Sequence, residues 1–424
     1  MSKIIIHSAR VADSKSPFNG KEVDILIENG MITEIGSSIA AQGENIQAKG
    51  AFITPGWVDV FARCGEPGEE WKEDLNSLAS AAHAGGFTAV AAYCGSQPVP
   101  DNGAAIQSVL NKCADLPVRI LPLGDFVKPD GNEMAELFDM QNSGAAGFAH
   151  PDHPISDSGF ISRLLDYARS LEAPVILEAF DKKLAPGGRM HEGSVAASLG
   201  LKGIPSVSES IALKQIIDIA HWLNTRLHIY KISTAESVEI IKAAKNAGQS
   251  LCAAVPVYNL LFTEQDLDGF DENHKVLPPY RTLADRKALI EGLLNGHIDA
   301  VMSNHHPQDI ENKAVEFEYA AWGASSVQTV LNVLLSLEGL TAEKICDVLA
   351  HGPRRFLNMP ELSIAVGQKA DLTIFDAEST LIFNNNNLSK GVNHPLKGKE
   401  LKGVVLGTVL NGTWNPVNVS AAGV

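Results

Sequence analysis

Residues 226–256 read RLHIYKISTAESVEIIKAAKNAGQSLCAAVP. Arg226–Ile232 and Ser250–Pro256 are short apolar runs, and Ala235–Ala247 between them carries apolar residues at helical spacing. A strand, a helix and a strand in that order form the crossover unit of a parallel sheet. Working outward, eight such seven-residue runs recur: Gly56–Ala62, Phe87–Tyr93, Val118–Gly124, Gly144–His150, Pro174–Phe180, Arg226–Ile232, Ser250–Pro256 and Ile298–Asn304. Helical patterns lie between them at Leu75–His83, Ser156–Leu171 and Ser208–Leu223. Near-continuously apolar strands alternating with helices imply a parallel sheet covered by helices. Eight repeats predict an α/β protein built on a (β/α)8 TIM-like barrel, with its working face at the C-terminal strand ends. A doubly wound sheet is the weaker reading, because no GxGxxG follows an early strand.

Both ends of the chain have a different character. Lys3–His7, Glu22–Glu28 and Met31–Ile35 read as short strands, with turn signals at Asn19-Gly20 and Asn29-Gly30. Ala370–Phe375, Thr380–Phe383 and Gly403–Val409 read the same way near the other end. The expected organisation is a small composite β-sandwich from residues 1–53 and 361–424 around a barrel at 54–360.

Of the 424 residues, 45% are hydrophobic and 20% charged, the balance of a globular chain able to bury a core. A formal net charge of −16 argues against nucleic acid or anionic membrane as partners. No apolar run reaches the ~18 residues of a membrane span, and the first residues lack the long apolar core of a secretory signal. The five cysteines are scattered without a CxxC pair, which fits reduced thiols and a cytoplasmic setting.

The segment Thr54–Asp101 carries Pro55-Gly56, Asp59, Glu66-Pro67-Gly68, Lys72-Glu73-Asp74 and Gly85-Gly86-Phe87-Thr88. It resembles the opening barrel units of the dihydroorotases, within the amidohydrolase superfamily. The likeness continues through Pro186–Gly193, Gly200–Pro205, Ser233-Thr234, Asp285–Gly296 and Ala370-Asp371-Leu372, so it covers nearly the whole chain in order.

That resemblance implies a metal centre, with an HxH pair on strand one, a carboxylate on strand four, histidines on strands five and six, and an aspartate on strand eight. Such donors converge to hold zinc and activate a water. The matching positions here are Phe61 and Arg63, His150 (or the neighbouring Pro151), Glu178, Lys231 and Asn304. Phenylalanine offers no donor atom, guanidinium keeps its proton, and an amide is no useful base. The family's substrate-contacting positions fall on Gly65, Gly95 and Leu277.

From these substitutions the expectation is a degenerate site with no metal, no cofactor and no catalytic residue. The chain then resembles inactive dihydroorotase-like chains that associate with the aspartate transcarbamoylase catalytic chain in pyrimidine biosynthesis. Read this way it is a non-catalytic subunit of a homo- or hetero-oligomer that supports the transcarbamoylase, and not an enzyme. The alternative is an amidohydrolase-fold hydrolase with altered or metal-independent chemistry on a cyclic amide.

Arg63, Glu178 and Lys231 are expected to pair in the space vacated by metal. Arg63, Lys231 and His305 are the candidates for a residual anion site. His150-Pro-Asp-His153 and His305-His306 invite a metal reading, against which loop histidines are the simpler account. Cys64 and Cys94 are expected to be packed thiols. A Schiff-base role for Lys231 has only its strand-end position in favour.

Overall fold

The computed structural model describes residues 3–417 apart from single positions 96, 130, 132, 152, 268 and 385. Eight parallel strands form the central sheet: Trp57–Cys64, Phe87–Cys94, Arg119–Gly124, Gly147–Ala149, Val175–Glu178, Leu227–Tyr230, Leu251–Pro256 and Ala300–Met302. They neighbour one another in chain order from the first to the eighth. The seam between the eighth and the first is closed by a parallel bridge from Ala62 to His305. Asp59 reinforces that seam, accepting from the Ser303 backbone N–H at 2.9 Å and from the Ser303 hydroxyl. The eight expected runs each contain or overlap one of these strands.

Alternation along each strand sorts its side chains. Val58, Val60, Ala89, Ala91, Ile176, Ala254 and Ala300 pack together in a cluster inside the barrel. Trp57, Ala62, Phe87, Val90 and Ile229 belong to the larger cluster shared with the surrounding helices. The inner residues are mostly small or β-branched, as a filled barrel requires. Helix Ala235–Asn246 starts where Thr234 accepts from the Ser237 N–H, and helix Leu75–Ala84 starts at an Asp74–Ser77 capping box.

The two ends of the chain build one further eight-stranded sheet. Strand Leu372–Phe383 pairs antiparallel with Phe52–Pro55, which pairs in parallel with Lys3–Val11. The composite domain expected from the sequence is present, its strands joined in one hydrogen-bonded sheet. Thr380–Phe383, expected as a separate strand, continues Leu372–Phe383 past an irregularity between Asp376 and Thr380. Buried Arg354 ties this sheet to the barrel, donating to the Gly56 carbonyl at 2.7 Å while lying 3.6 Å from Asp371.

Candidate functional site

The C-terminal strand ends hold two polar groups. On strand five, Ile176 faces the barrel interior, and two residues later so does Glu178. On strand six, Tyr230 faces inward and Lys231 follows with φ of 61°. That left-handed backbone is uncommon for a residue with a Cβ, and functional sites are where such strain tends to collect. Lys231 Nζ donates to Glu178 Oε2 at 2.8 Å, with each side chain 5% exposed. The ammonium also lies 4.9 Å from the Tyr230 ring centroid and 5.5 Å from that of Phe61. Aromatic faces and one carboxylate therefore surround a buried cation.

The segment after Lys231 is pinned from a neighbouring helix. Glu209, in helix Val207–Leu223, accepts from the Ser233 N–H at 2.9 Å, the Thr234 N–H at 3.1 Å and both hydroxyls. Arg281, fully buried, donates to Ser233 Oγ at 3.1 Å and to the Ile204 carbonyl at 2.8 Å. Burial pushes the Arg281 pKa down, and nearby Glu209 opposes that shift.

The second group joins strands two, three and four. Tyr93 donates its hydroxyl to Asp125 Oδ2 at 2.6 Å. His150 Nδ1 lies 2.8 Å and 3.0 Å from the two Asp125 oxygens. A carboxylate only accepts, so Nδ1 carries the proton and Nε2 is the basic nitrogen. Arg63 lies over the Tyr93 ring, its guanidinium carbon 5.7 Å from the ring centroid. Asp125 and Tyr93 were not singled out from the sequence. The available signal was position, since Asp125 directly follows the third apolar run and so stands at a strand end.

Strand eight closes the ring. Asn304 has φ of 50° and its amide donates to the Leu277 carbonyl at 3.2 Å. Asp59, beneath it at the seam, has its pKa pushed up to about 6 by burial, against the pull of the Ser303 hydrogen bonds.

Several expectations change against this geometry. Glu178 and Lys231 do pair, but Arg63 lines a separate cavity with Tyr93, Gly95 and His306. His305 is buried: the Ser326 N–H donates to its Nδ1 at 3.0 Å, and its Nε2 donates to Glu73 at 3.1 Å. With both ring nitrogens engaged, His305 cannot join Arg63 and Lys231 in an anion site, and that expectation is corrected. His306 accepts from the Gln308 side-chain amide at 3.0 Å, a loop contact. Within His150–His153, Asp152 lies outside the described residues.

Gly65 and Gly95 have structural reasons to be glycine. A Cβ at Gly65 would stand 2.2 Å from the Glu69 carbonyl oxygen. Gly95 combines φ of +90° with 2.9 Å from a built Cβ to the Pro98 carbonyl oxygen. Leu277 lines the cavity beside Lys231 and supplies the carbonyl that receives Asn304. Cys64 and Cys94 are buried thiols, and the hydrogen bond between them, with burial, holds the Cys64 pKa well up.

The strand-end donor set does not fit the divalent centre that the resemblance implies. Phe61 has no ligand atom, Arg63 and Lys231 bear the charge of the ion they would hold, and Glu178 is committed to Lys231. Among the described residues, Asp13, Cys346 and His351 do bring three potential ligand atoms within 4.8 Å of one another. They lie at the barrel's other end, where Gly352 packs on the Asp299 carbonyl just before strand eight. Asp13 there already accepts from His351 Nε2 at 2.9 Å, the Ile364 N–H at 2.8 Å and the Lys15 N–H at 3.0 Å. That hydrogen bonding occupies Asp13, while buried His351 Nδ1 has no hydrogen-bond partner among the described residues.

Space at the mouth is small. The cavity beside Lys231 holds about 10 Å³, room for one water at most, and the one beside Arg63 about 30 Å³, room for about two. Among the described residues, no helix is long and apolar enough to cross a membrane.

Comparison with known proteins supplies a lineage. A family model described as Dihydro-orotase-like matches residues 50–237. A protein of Syntrophotalea carbinolica named dihydroorotase is 36% identical over 97% of this chain and 98% of its own length. One of Geobacter metallireducens with the same name is 35% identical over 96% and 98%. Among solved structures, the L-hydantoinase (dihydropyrimidinase) of Arthrobacter aurescens superposes with a TM-score of 0.86 at 22% identity, covering 98% of this chain and 96% of that one. At that identity the superposition supports the barrel and its attached sheet, and nothing finer.

These relatives correct the expectation of a non-catalytic subunit that only supports a transcarbamoylase. Proteins matching from end to end bear an enzyme's name. The correction has a physical reason. Substitution at one ligand set shows which groups are gone, whereas the mouth still holds a buried ion pair and an oriented histidine that could support other chemistry. Matched along almost its entire length at more than a third identity, the chain belongs to the dihydroorotase-like family.

Proposed function

We propose that this chain is a hydrolase that opens or closes a cyclic amide ring at the C-terminal mouth of its barrel. In this reading its chemistry departs from the metal-centred chemistry of the family. The single observation behind it is the end-to-end match to proteins named dihydroorotase. The strained, polar strand ends at Lys231 and Asn304 are consistent with a working site.

The residues divide the labour by their chemistry. Lys231, held by Glu178 and flanked by Tyr230 and Phe61, supplies fixed positive charge where an amide oxygen gains negative charge during attack. Asn304, tethered to Leu277, offers an amide for orienting the ring. No step is assigned to a divalent ion at this donor set. Both cavities are smaller than a ring, so in this reading the lining beside Lys231, which includes Leu277–Pro279, opens to admit one.

The test uses the full chain, dialysed against a chelator and then assayed with dihydroorotate, a 5-substituted hydantoin and dihydrouracil in both directions. Ring opening or closure of at least one of them, unchanged by the chelator, is the expected result. No turnover above a heat-denatured control on any of the three would overturn the proposal.

A further inference from the structure

We infer that His150, oriented by Asp125, is the group that takes the proton from the attacking water. The inference rests on the hydrolase reading above and gives the role of base to a residue that the resemblance aligns with a strand-four ligand position.

Four observations converge. His150 follows strand Gly147–Ala149 and Asp125 follows strand Arg119–Gly124, so both stand on the face where barrels place their reacting groups. Asp125 grips His150 Nδ1 at 2.8 Å and 3.0 Å, which fixes the tautomer and leaves Nε2 as acceptor. Among the described residues no hydrogen bond to His150 Nε2 is found, and the side chain retains 15% exposure. Asp125 is itself held by the Tyr93 hydroxyl at 2.6 Å and by the Val127 N–H at 2.8 Å, so the imidazole has a rigid support. A carboxylate orienting a histidine whose far nitrogen is available is the arrangement that general-base catalysis uses on unrelated folds.

The neighbouring strand ends carry the rest of the machinery. Strand four pairs with strand five at Ala149 and Ile176, so His150 and Glu178 stand on adjacent strand ends, with Lys231 on the next. The step balances without a co-reactant. A water oxygen bonds to the ring carbonyl carbon as its proton passes to His150 Nε2. The ring C–N bond then breaks, and the same proton passes to the departing nitrogen. One water is consumed, and the products are a carboxylic acid and an open-chain N–H. In the closing direction each transfer reverses. Tyr93 and Asp125 are positioning residues in this scheme, because they act through His150.

The experiment takes the chelator-treated full chain with whichever ring it turns over. His150→Ala is expected to lower kcat at least about 100-fold, the lower end of what a positioned base contributes, with KM within a few-fold. Added imidazole is expected to restore part of that loss, an outcome that a purely structural histidine would not give. His150→Gln, closer in shape, is expected to show the same loss without rescue and covers the case in which the alanine variant does not fold. Asp125→Asn is expected to lower kcat more than it raises KM. An active wild-type chain whose folded His150 variants keep kcat within threefold would overturn the assignment and leave the hydrolase reading standing. An inactive wild-type chain would overturn both.

Discussion

Replacing Lys231 with methionine removes the cation of the buried pair and leaves the Glu178 carboxylate facing Tyr230 and Phe61. At 2.8 Å the Coulomb attraction is about 6 kcal/mol for an effective dielectric of 20. Desolvation offsets part of that attraction, and breaking such a pair from one side costs about 3–5 kcal/mol. The backbone acts in the other direction, since φ of 61° at a residue with a Cβ stores about 1–2 kcal/mol. Lys231→Gly releases this strain but loses the pair, so its net effect is destabilising by about 2–3 kcal/mol. Lys231→Met with Glu178→Leu removes both charges and is expected within about 1 kcal/mol of wild type. Urea unfolding of the four proteins, with m checked for constancy, measures these differences. If Lys231→Met costs no more than the double variant, the pair is uncoupled and the reasoning fails.

Three further outcomes follow from other sites. Burial depresses the pKa of His191 to about 4 and of His228 and His394 to about 3, so the unfolded chain binds their protons first as pH falls below about 6.5. Their neutral folded state is fully favourable above that pH and loses about 1.4 kcal/mol per histidine per unit below it. Asp59, raised to about 6, works the other way between pH 6 and 4 because the folded state binds its proton first. Three against one leaves a net loss of about 3 kcal/mol per unit in that window, and a urea midpoint unchanged from pH 7 to pH 5 would contradict it. Gly95→Ala is expected to cost clearly more than Gly200→Ala. Both adopt positive φ, but only the former brings a Cβ within 2.9 Å of a carbonyl oxygen, and equal denaturation midpoints would remove the contact term. Asp59→Ala strips the acceptor from Ser303 at the barrel seam and is expected to cost about 2–4 kcal/mol by thermal or urea unfolding, one unsatisfied buried donor being worth about 1–3.

The barrel was legible because parallel strands buried on both faces must be apolar, and that composition survives in the eight runs from Gly56 to Asn304. The composite sheet was legible from strand patterns at both ends, although alternation does not reveal that Thr380–Phe383 continues the strand begun at Leu372. Of the site, Glu178 and Lys231 were legible only through the resemblance, which aligns them with ligand positions on strands five and six, and the two do pair. Side-chain direction was not legible. Arg63 turns toward Tyr93, and His305 turns inward to Glu73, because backbone dihedrals at the strand ends decide which way each points. The left-handed turn at Lys231 had no signal, whereas Asn304 is of a type that adopts this conformation more readily. Asp125 and Tyr93 lie outside the motifs that carry the resemblance, so only three-dimensional proximity shows what they hold.

The sheet built from both chain ends sets an order of events during synthesis. Phe52–Pro55 cannot acquire its antiparallel neighbour until Leu372–Phe383 has left the ribosome. At about 5–20 residues per second that delay is on the order of tens of seconds. Throughout it, one side of an apolar early strand stays without a partner while the barrel between them is being made. A chaperone that shields the first fifty residues would therefore matter most before the last fifty emerge.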